Sequence, residues 1–194
     1  MPTNENTNEI LRSYSGDVLE LHRHFMDMLK DEAEQEEVRR YPSVQHLVTR
    51  TQDTVSRQLS ELEQGLQALG GEGSSWLKQA MSSAAGAAMG MFSKVDGSEK
   101  CSKVLRNNFV ALDAASLGSL MLYITAEAFN ENRIGEMSAR HFDALASLAT
   151  ETRDLIPEMV VSEFADEGYS VKRSVIEEAN RKMQQAWTGR AARS

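Results

Sequence analysis

The sequence predicts an all-α protein built around a four-helix bundle, and two observations lead to this prediction. Helix-favouring residues are abundant, and the 194-residue chain contains only three prolines. In four long segments, apolar residues recur at steps of three and four, which places them on one face of a helix. We also expect an extra helix between the second and third long helices and another helix at the C-terminus.

Composition limits the class of protein further. The formal net charge of −8 provides no field that would attract nucleic acid, and the common nucleic-acid-binding motifs do not occur in the sequence. The single cysteine, Cys101, excludes an intramolecular disulfide and suits a reducing compartment. We find neither a signal-peptide pattern nor a run of about 18 apolar residues. These features predict a bacterial-type cytoplasmic protein without a nucleic-acid partner or a transmembrane segment.

The chain divides into three parts along its length. Residues 1–8 are polar and are predicted to form a disordered tail. Residues 9–168 contain the four long periodic segments and are predicted to form the bundle. Residues 169–194 are predicted to form a C-terminal amphipathic helix followed by a short basic tail.

The first two long helices, A and B, are separated by a proline. Helix A is predicted over about Glu9 to Arg39, and Tyr41-Pro42 ends it, because the residue before a proline avoids the α conformation. Helix B follows and has the most regular pattern in the chain, and Gly70-Gly71 ends it. Its apolar row is Val44, Val48, Val55, Leu59, Leu62, Leu66 and Leu69.

The extra helix is predicted over Ser74 to Val95, a segment rich in Ala, Gly and Met. Its glycines Gly86 and Gly90 have the GxxxG spacing, which lets two helix backbones approach closely. Two interpretations stay open for this segment. It either packs against the bundle through its small residues or forms a dimer or membrane-surface contact.

Helices C and D follow from turn and capping residues. Ser98 is expected to cap helix C, which continues to about Asn132. Gly135 is expected to close the next turn and Ser138 to cap helix D. Pro157 removes a backbone donor and is expected to kink or split helix D.

The terminal helix is predicted to start at Ser170 and to carry an apolar row that ends at Trp187. It either packs on the bundle or a dimer mate, or recognises a partner. Together with Gly86 and Gly90, Trp187 forms the predicted assembly surface.

Polar or small residues interrupt the apolar rows near the middle of the four helices. They are His22, Thr51, Ser116, Ala149 and Thr152. A di-metal centre in such a layer needs a carboxylate from each of two helices and a Glu-x-x-His pair from each of the other two. The sequence contains no Glu-x-x-His, so this type of metal centre is not expected.

His22 is interpreted as a core histidine that hydrogen-bonds a hydroxyl group such as that of Thr51 or Ser116. His141 is placed near the start of helix D, away from the central layer. The alternative is an atypical iron or manganese site formed by His22, Asp113 and Glu151. Asp113 is otherwise expected to be a buried or half-buried, hydrogen-bonded carboxylate.

Nucleophilic catalysis has weak support in the sequence. Cys101 lies in a lysine-rich first turn, Glu99-Lys100-Cys101-Ser102-Lys103, which could lower the pKa of a thiol. No histidine is positioned by the sequence to activate it, so Cys101 is interpreted as a bystander, with a reactive thiol as the alternative. The chain has no glycine-rich phosphate loop and no GxSxG motif.

Several segments resemble the YciE/YciF-type ferritin-like proteins of bacterial stress responses. The resemblance covers about residues 10–160 and includes Tyr41-Pro42-Ser43-Val44, the stretch 58–63, Gly90-Met91-Phe92, and the alanine- and leucine-rich stretch 117–126. It implies a ferritin-like bundle of unknown biochemical activity that commonly forms dimers. It also implies metal ligands in several members of the family.

Most ligand positions of that family are occupied here by residues that cannot coordinate a metal well. The positions fall on or near His22 or His24, Thr51 and Thr54, Asp113 and Ser116, and Leu148 and Ala149, or on Glu151 in a shifted register. At most two of them keep a coordinating group. The resemblance therefore implies the fold and puts metal binding in doubt.

These observations lead to one functional hypothesis and one alternative. The hypothesis is a non-enzymatic ferritin-like bundle, stress-associated or structural, that acts through self-association as a homodimer or through a protein partner, and needs no cofactor. The alternative is an iron- or manganese-binding bundle that handles metal or oxidant at the atypical site.

Overall fold

A computed structural model of the chain describes residues 4–69 and 100–187. Every regular element in these two ranges is an α-helix, so the predicted all-α fold is confirmed. The helices are α1 (Asn4–Glu34), α2 (Glu36–Arg40), α3 (Pro42–Ala68), α4 (Cys101–Ala128), α5 (Asn132–Asp166) and α6 (Val175–Trp187). The predicted helix Ser74–Val95, with Gly86 and Gly90, lies outside the described residues.

Four long helices form the bundle, and two apolar clusters show how they run. One cluster joins the C-terminal half of α1, the N-terminal halves of α3 and α4, and the C-terminal half of α5. The other cluster joins the opposite halves of the same helices. Therefore α1 and α5 run in one direction, while α3 and α4 run in the other. Helix α3 ends and helix α4 begins at opposite ends of the bundle.

The four helices enclose the core in a square arrangement. Helix α1 packs against α3 and α4, and α5 packs against α3 and, most extensively, against α4. Small buried residues of α4 let its neighbours approach closely, since interaxial distance depends on side-chain size. These residues are Ala111, Ala115, Ser119 and Ala126. Helix α5 also holds the start of α4, where Glu163 accepts hydrogen bonds from the Ser102 backbone N–H (2.8 Å) and hydroxyl (2.6 Å).

The first long helix differs from the sequence prediction at both ends. Helix α1 begins at Asn4, so the predicted disordered tail is wrong for residues 4–8. Predicted helix A is also interrupted, because Gln35 adopts an extended conformation between α1 and α2. This break lets Val38 of α2 become fully buried in the first cluster. Burial of an apolar side chain compensates for the lost helical hydrogen bonds in this acidic stretch.

The turn between α4 and α5 lies earlier than predicted. Asn130 adopts the left-handed conformation (φ 60°), and the Glu131 N–H donates to the carbonyl of Ala126 (2.9 Å). This is a Schellman turn, in which asparagine can take the place of glycine. Helix α5 therefore starts at Asn132, and Gly135 and Ser138 lie inside it rather than at its start. The Ser138 hydroxyl donates to the carbonyl of Ile134 (2.8 Å) and caps nothing.

Because Gly135 lies in a helix interior, we expect the Gly135→Ala substitution to stabilise the fold. The atoms nearest to a methyl group there belong to the side chain of Glu127, whose carboxylate end would have to turn aside. The expected gain in the free energy of unfolding is up to about 1 kcal/mol, measured by urea denaturation. Gly168→Ala is the matched control, since Gly168 has a φ of 86°. That substitution should cost about 1 kcal/mol, and a loss of stability in Gly135→Ala would contradict the helical placement.

Helix α5 continues through Pro157 to Asp166, so of the two predicted effects of this proline, a kink or a split, the split does not occur. A second Schellman turn follows, in which the Tyr169 N–H donates to the carbonyl of Phe164 (3.0 Å) and the two rings meet edge to face. Helix α6 begins at Val175 rather than at Ser170 and contacts α5. Trp187 is its last residue, and its side chain lies outside the described structure.

Candidate functional site

The polar residues predicted to interrupt the core do lie in the core. His22, Thr51, Ser116, Ala149 and Thr152 are each at most 5% exposed. Three of them carry hydroxyl groups, and each hydroxyl donates to a carbonyl in the preceding turn of its own helix. The distances are 2.8 Å for Thr51, 2.9 Å for Ser116 and 2.8 Å for Thr152. The predicted hydrogen bond from His22 to Thr51 or Ser116 is wrong, because both ring nitrogens of His22 contact other oxygens.

His22 instead contacts its own helix and α3. Its Nδ1 lies 2.8 Å from the carbonyl oxygen of Val18, and its Nε2 lies 3.0 Å from Oε1 of Gln58. A neutral imidazole has one N–H and can donate only one of these hydrogen bonds. Turning the Gln58 amide by 180° would let it donate to Nε2, but would withdraw its N–H from the carbonyl of His141, 3.3 Å away. This layer thus satisfies a cationic His22 more fully than a neutral one.

A second histidine, His141 of α5, completes the buried polar layer. Its ring centroid lies 6.3 Å from that of His22, and its Nε2 lies 3.2 Å from Oε2 of Glu61. Among the described residues, its Nδ1 is buried without a hydrogen-bond partner. The sequence prediction placed His141 away from the layer and is wrong, because α5 starts at Asn132 and carries His141 well inside the helix.

Burial determines the charge of both histidines. Desolvation lowers the pKa of His22 to about 4, and the hydrogen bonds to Val18 and Gln58 only partly offset it. Desolvation also lowers the pKa of His141, against the opposing effect of Glu61. For Glu61, desolvation raises the pKa, but His141 and Arg140 outweigh it and the pKa is lowered. At neutral pH the layer therefore holds two neutral imidazoles and one carboxylate.

The layer opens to solvent between α3 and α5. A shallow groove of about 310 Å³ and a smaller one of about 160 Å³ share Glu61 and Arg140 on their walls. Arg140 lies 3.2 Å from the same Glu61 oxygen that contacts His141. These charged groups neutralise one another at the rim of the groove. They are therefore arranged to stabilise the helix pair rather than to bind a charged ligand.

Cys101 is fully buried at the start of α4. Burial, together with the carboxylates of Glu163, Glu37 and Glu32, raises the pKa of its thiol to about 12. The thiolate is the nucleophilic form of cysteine, and at neutral pH Cys101 is a thiol. The structure favours the bystander interpretation over a reactive thiol.

The three residues proposed for an atypical metal site occupy different environments. His22 is buried with both ring nitrogens in contact with oxygens, whereas Asp113 is exposed on α4, contrary to the expectation of a buried or half-buried carboxylate. Glu151 forms a bidentate pair with Arg50, with both N–O distances at 2.9 Å. Residues 4–69 and 100–187 contain no cluster of three or more His, Cys, Asp or Glu side chains suited to a metal ion. These residues do not fit an iron or manganese site.

The sequence prediction missed the outer side of α4, which is apolar and open to solvent. Four large side chains on this side are between 43% and 57% exposed, and we call them the α4 outer face. They are Val110, Leu117, Met121 and Ile124. Leu105, Leu112 and Leu122, on the opposite side of the same helix, are fully buried. A helix that is apolar all round normally has all of its sides covered.

The length and hydropathy of α4 also meet the criteria for a membrane span. An 18-residue window has a mean hydropathy of 1.6, and 39% of that window is buried inside the bundle. The core helix of a soluble protein passes the same test, so this is weak evidence for a membrane helix. A second apolar row at steps of seven, four and three was readable in the sequence and would have indicated the outer face.

Comparisons of the chain with protein-family models, with curated proteins and with solved structures gave no match. The resemblance to the YciE/YciF-type proteins therefore stays a prediction from the residues.

Proposed function

We propose that this chain is a non-enzymatic helical-bundle protein that acts by self-association through the α4 outer face. The observation that carries this proposal is the row of four exposed apolar side chains on a helix whose other side is core. Burying one such side chain is worth about 1.5–3 kcal/mol relative to leaving it in water. Contiguous apolar patches rimmed by polar residues mark interaction sites.

The state of the polar groups supports a non-catalytic role. The hydroxyls of Thr51, Ser116 and Thr152 donate within their own helices. Glu61 contacts both Arg140 and His141. Cys101 is a buried thiol. A catalytic centre instead needs a nucleophile or base within reach of a bound substrate. The described grooves do not combine these features.

We further propose that the bundle is ferritin-like, and the helix directions support this. Helices α3 and α4, which are consecutive in the described chain, run parallel, and ferritin-like bundles contain one parallel pair of consecutive helices joined by a long crossover. A stress-associated role and a cytoplasmic location stay predictions from the sequence.

The test is to replace Leu117 and Ile124 with glutamine together and to measure the molar mass by light scattering. The wild-type chain, of 21.6 kDa, is expected to scatter as an oligomer, and the double variant as a monomer with unchanged helix content. Val175→Gln is the matched control, because Val175 is 46% exposed and belongs to α6 rather than to α4. Equal masses for the wild type and the double variant would contradict the proposal.

A further inference from the structure

We infer that the partner seated on the α4 outer face is a second copy of this chain, with the two α4 helices antiparallel about a two-fold axis at Leu117. This inference rests on the proposed self-association and specifies its geometry.

The exposed row is straight along the helix and has the repeat of a packing seam. At 100° per residue, Arg106, Val110, Leu117 and Ile124 lie within about 20° of one line parallel to the helix axis. Val110, Leu117 and Ile124 follow one another at steps of seven. Residues at a seven-residue spacing lie almost on one line along a straight helix and shift around it by about 20° per repeat. This arrangement suits the packing of two helices whose axes cross at about 20°. The α4 outer face is thus shaped to receive another helix along its length.

Apart from Asp113, at the edge of the middle of the row, the charged residues of α4 lie toward the two ends of this row. Lys103 and Arg106 are exposed near its start, and Glu127 is exposed near its end. With a rise of 1.5 Å per residue, Arg106 lies about 16 Å before Leu117, and Glu127 lies about 15 Å after it. When a second α4 helix runs antiparallel and is centred on Leu117, Arg106 of each copy therefore lies at the same level along the helix axis as Glu127 of the other copy. Two equivalent ion pairs form at the two ends of the seam.

The lateral positions agree with this pairing. The Glu127 carboxylate lies beside Gly135 of α5, so it is on the α5 side of the row. The helical rotation from Leu117 displaces Arg106 toward the same side. A two-fold axis that lies in the interface, perpendicular to the helices, places the α5 sides of the two α4 helices next to each other. A parallel arrangement would instead bring Arg106 near its own equivalent and place the two Glu127 carboxylates on opposite sides of the seam. The two arginines would repel each other, and neither carboxylate would meet a cation.

Apolar contacts occupy the middle of the same arrangement. Leu117 meets its own equivalent on the axis, and Val110 meets Ile124 of the other copy at both ends of the apolar row. Asp113, exposed at the edge of this row, lies near the mate's Leu120. Replacing Asp113 with alanine is therefore expected to strengthen the dimer, since it removes a partly desolvated charge.

The geometry is tested by disulfide trapping with oxidised glutathione on single-cysteine replacements. Leu117→Cys is expected to form an interchain disulfide, because the two residues meet on the axis. Val110→Cys is the matched control and should not crosslink to its own equivalent, which lies about 21 Å away along the helices. The combination of Val110→Cys with Ile124→Cys should crosslink. Native Cys101 is fully buried and does not compete.

Charge reversal tests the ion pairs independently. Arg106→Glu and Glu127→Arg are each expected to weaken the dimer by roughly tenfold in Kd, because each replaces two attractions with two repulsions. The combined variant should return to within about threefold of the wild-type Kd.

The outcomes separate this inference from the function that it extends. In one outcome the Leu117→Gln, Ile124→Gln variant is monomeric, but Leu117→Cys does not crosslink and the two charge reversals do not compensate for each other. Self-association through this face would then stand, and the antiparallel geometry would be wrong. Crosslinking of Val110→Cys to itself would indicate parallel helices and would also overturn the geometry. A monomeric wild type would overturn both proposals.

Discussion

The free energy of unfolding is expected to fall by about 2–3 kcal/mol between pH 7.5 and pH 4.5 through His22 alone. Its pKa in the folded chain is lowered to about 4, whereas an unperturbed histidine titrates near 6.5. Between these values the unfolded chain binds a proton that the folded chain excludes. The stabilisation is therefore complete above about pH 6.5 and is lost as the pH falls toward 4. The lowered pKa of His141 acts in the same direction.

The measurement is urea denaturation across this pH range at one fixed protein concentration. His22→Leu is the control variant, since it removes the titrating ring while keeping an apolar side chain in the layer. Its stability should depend much less on pH than that of the wild type, with the remaining dependence coming from His141. Identical pH profiles for the wild type and His22→Leu would show that His22 is not the neutral, buried group described above.

The second large effect concerns two leucines on opposite sides of α4. Leu112 is fully buried in the first cluster, whereas Leu117 is 51% exposed. Leu112→Ala should lower the free energy of unfolding by about 2–5 kcal/mol, because it removes packed methyl groups and leaves a cavity. Leu117→Ala should change the stability of the single chain by no more than about 0.5 kcal/mol.

Urea denaturation at a concentration where the wild-type dimer is dissociated separates the two effects. Light scattering at high concentration should then show that Leu117→Ala weakens the dimer more than Leu112→Ala does. Equal losses of single-chain stability for the two variants would mean that Leu117 is buried within one chain. The α4 outer face would then be unavailable to a second copy.

The sequence predicted the fold well wherever apolar periodicity decides the structure. The rows of helices A to D place His22, Thr51, Ser116 and Thr152 in the core, and all four residues are buried. Helix ends were less predictable, because several residues near each end could form a turn. Between α4 and α5 the left-handed residue is Asn130, while Gly135 continues the helix. That shift also hid His141, which looked like a residue of the first turn.

Contacts between helices could not be predicted from one sequence. The partner of His22 is Gln58 rather than a hydroxyl, and this depends on the rotation and stagger of α1 against α3. The two apolar sides of α4 were present in the sequence, but a single row through Leu105 and Leu112 was sufficient to predict a core helix. Which side stays open depends on how the neighbouring helices pack, and this became clear only in three dimensions.

Sedimentation equilibrium of the wild-type chain across a wide concentration range is the most direct test of the central claim, that the α4 outer face binds a second copy. We expect a reversible rise from 21.6 kDa to twice that mass, and no such rise in the Leu117→Gln, Ile124→Gln variant. A mass that stays at 21.6 kDa at every concentration would contradict it.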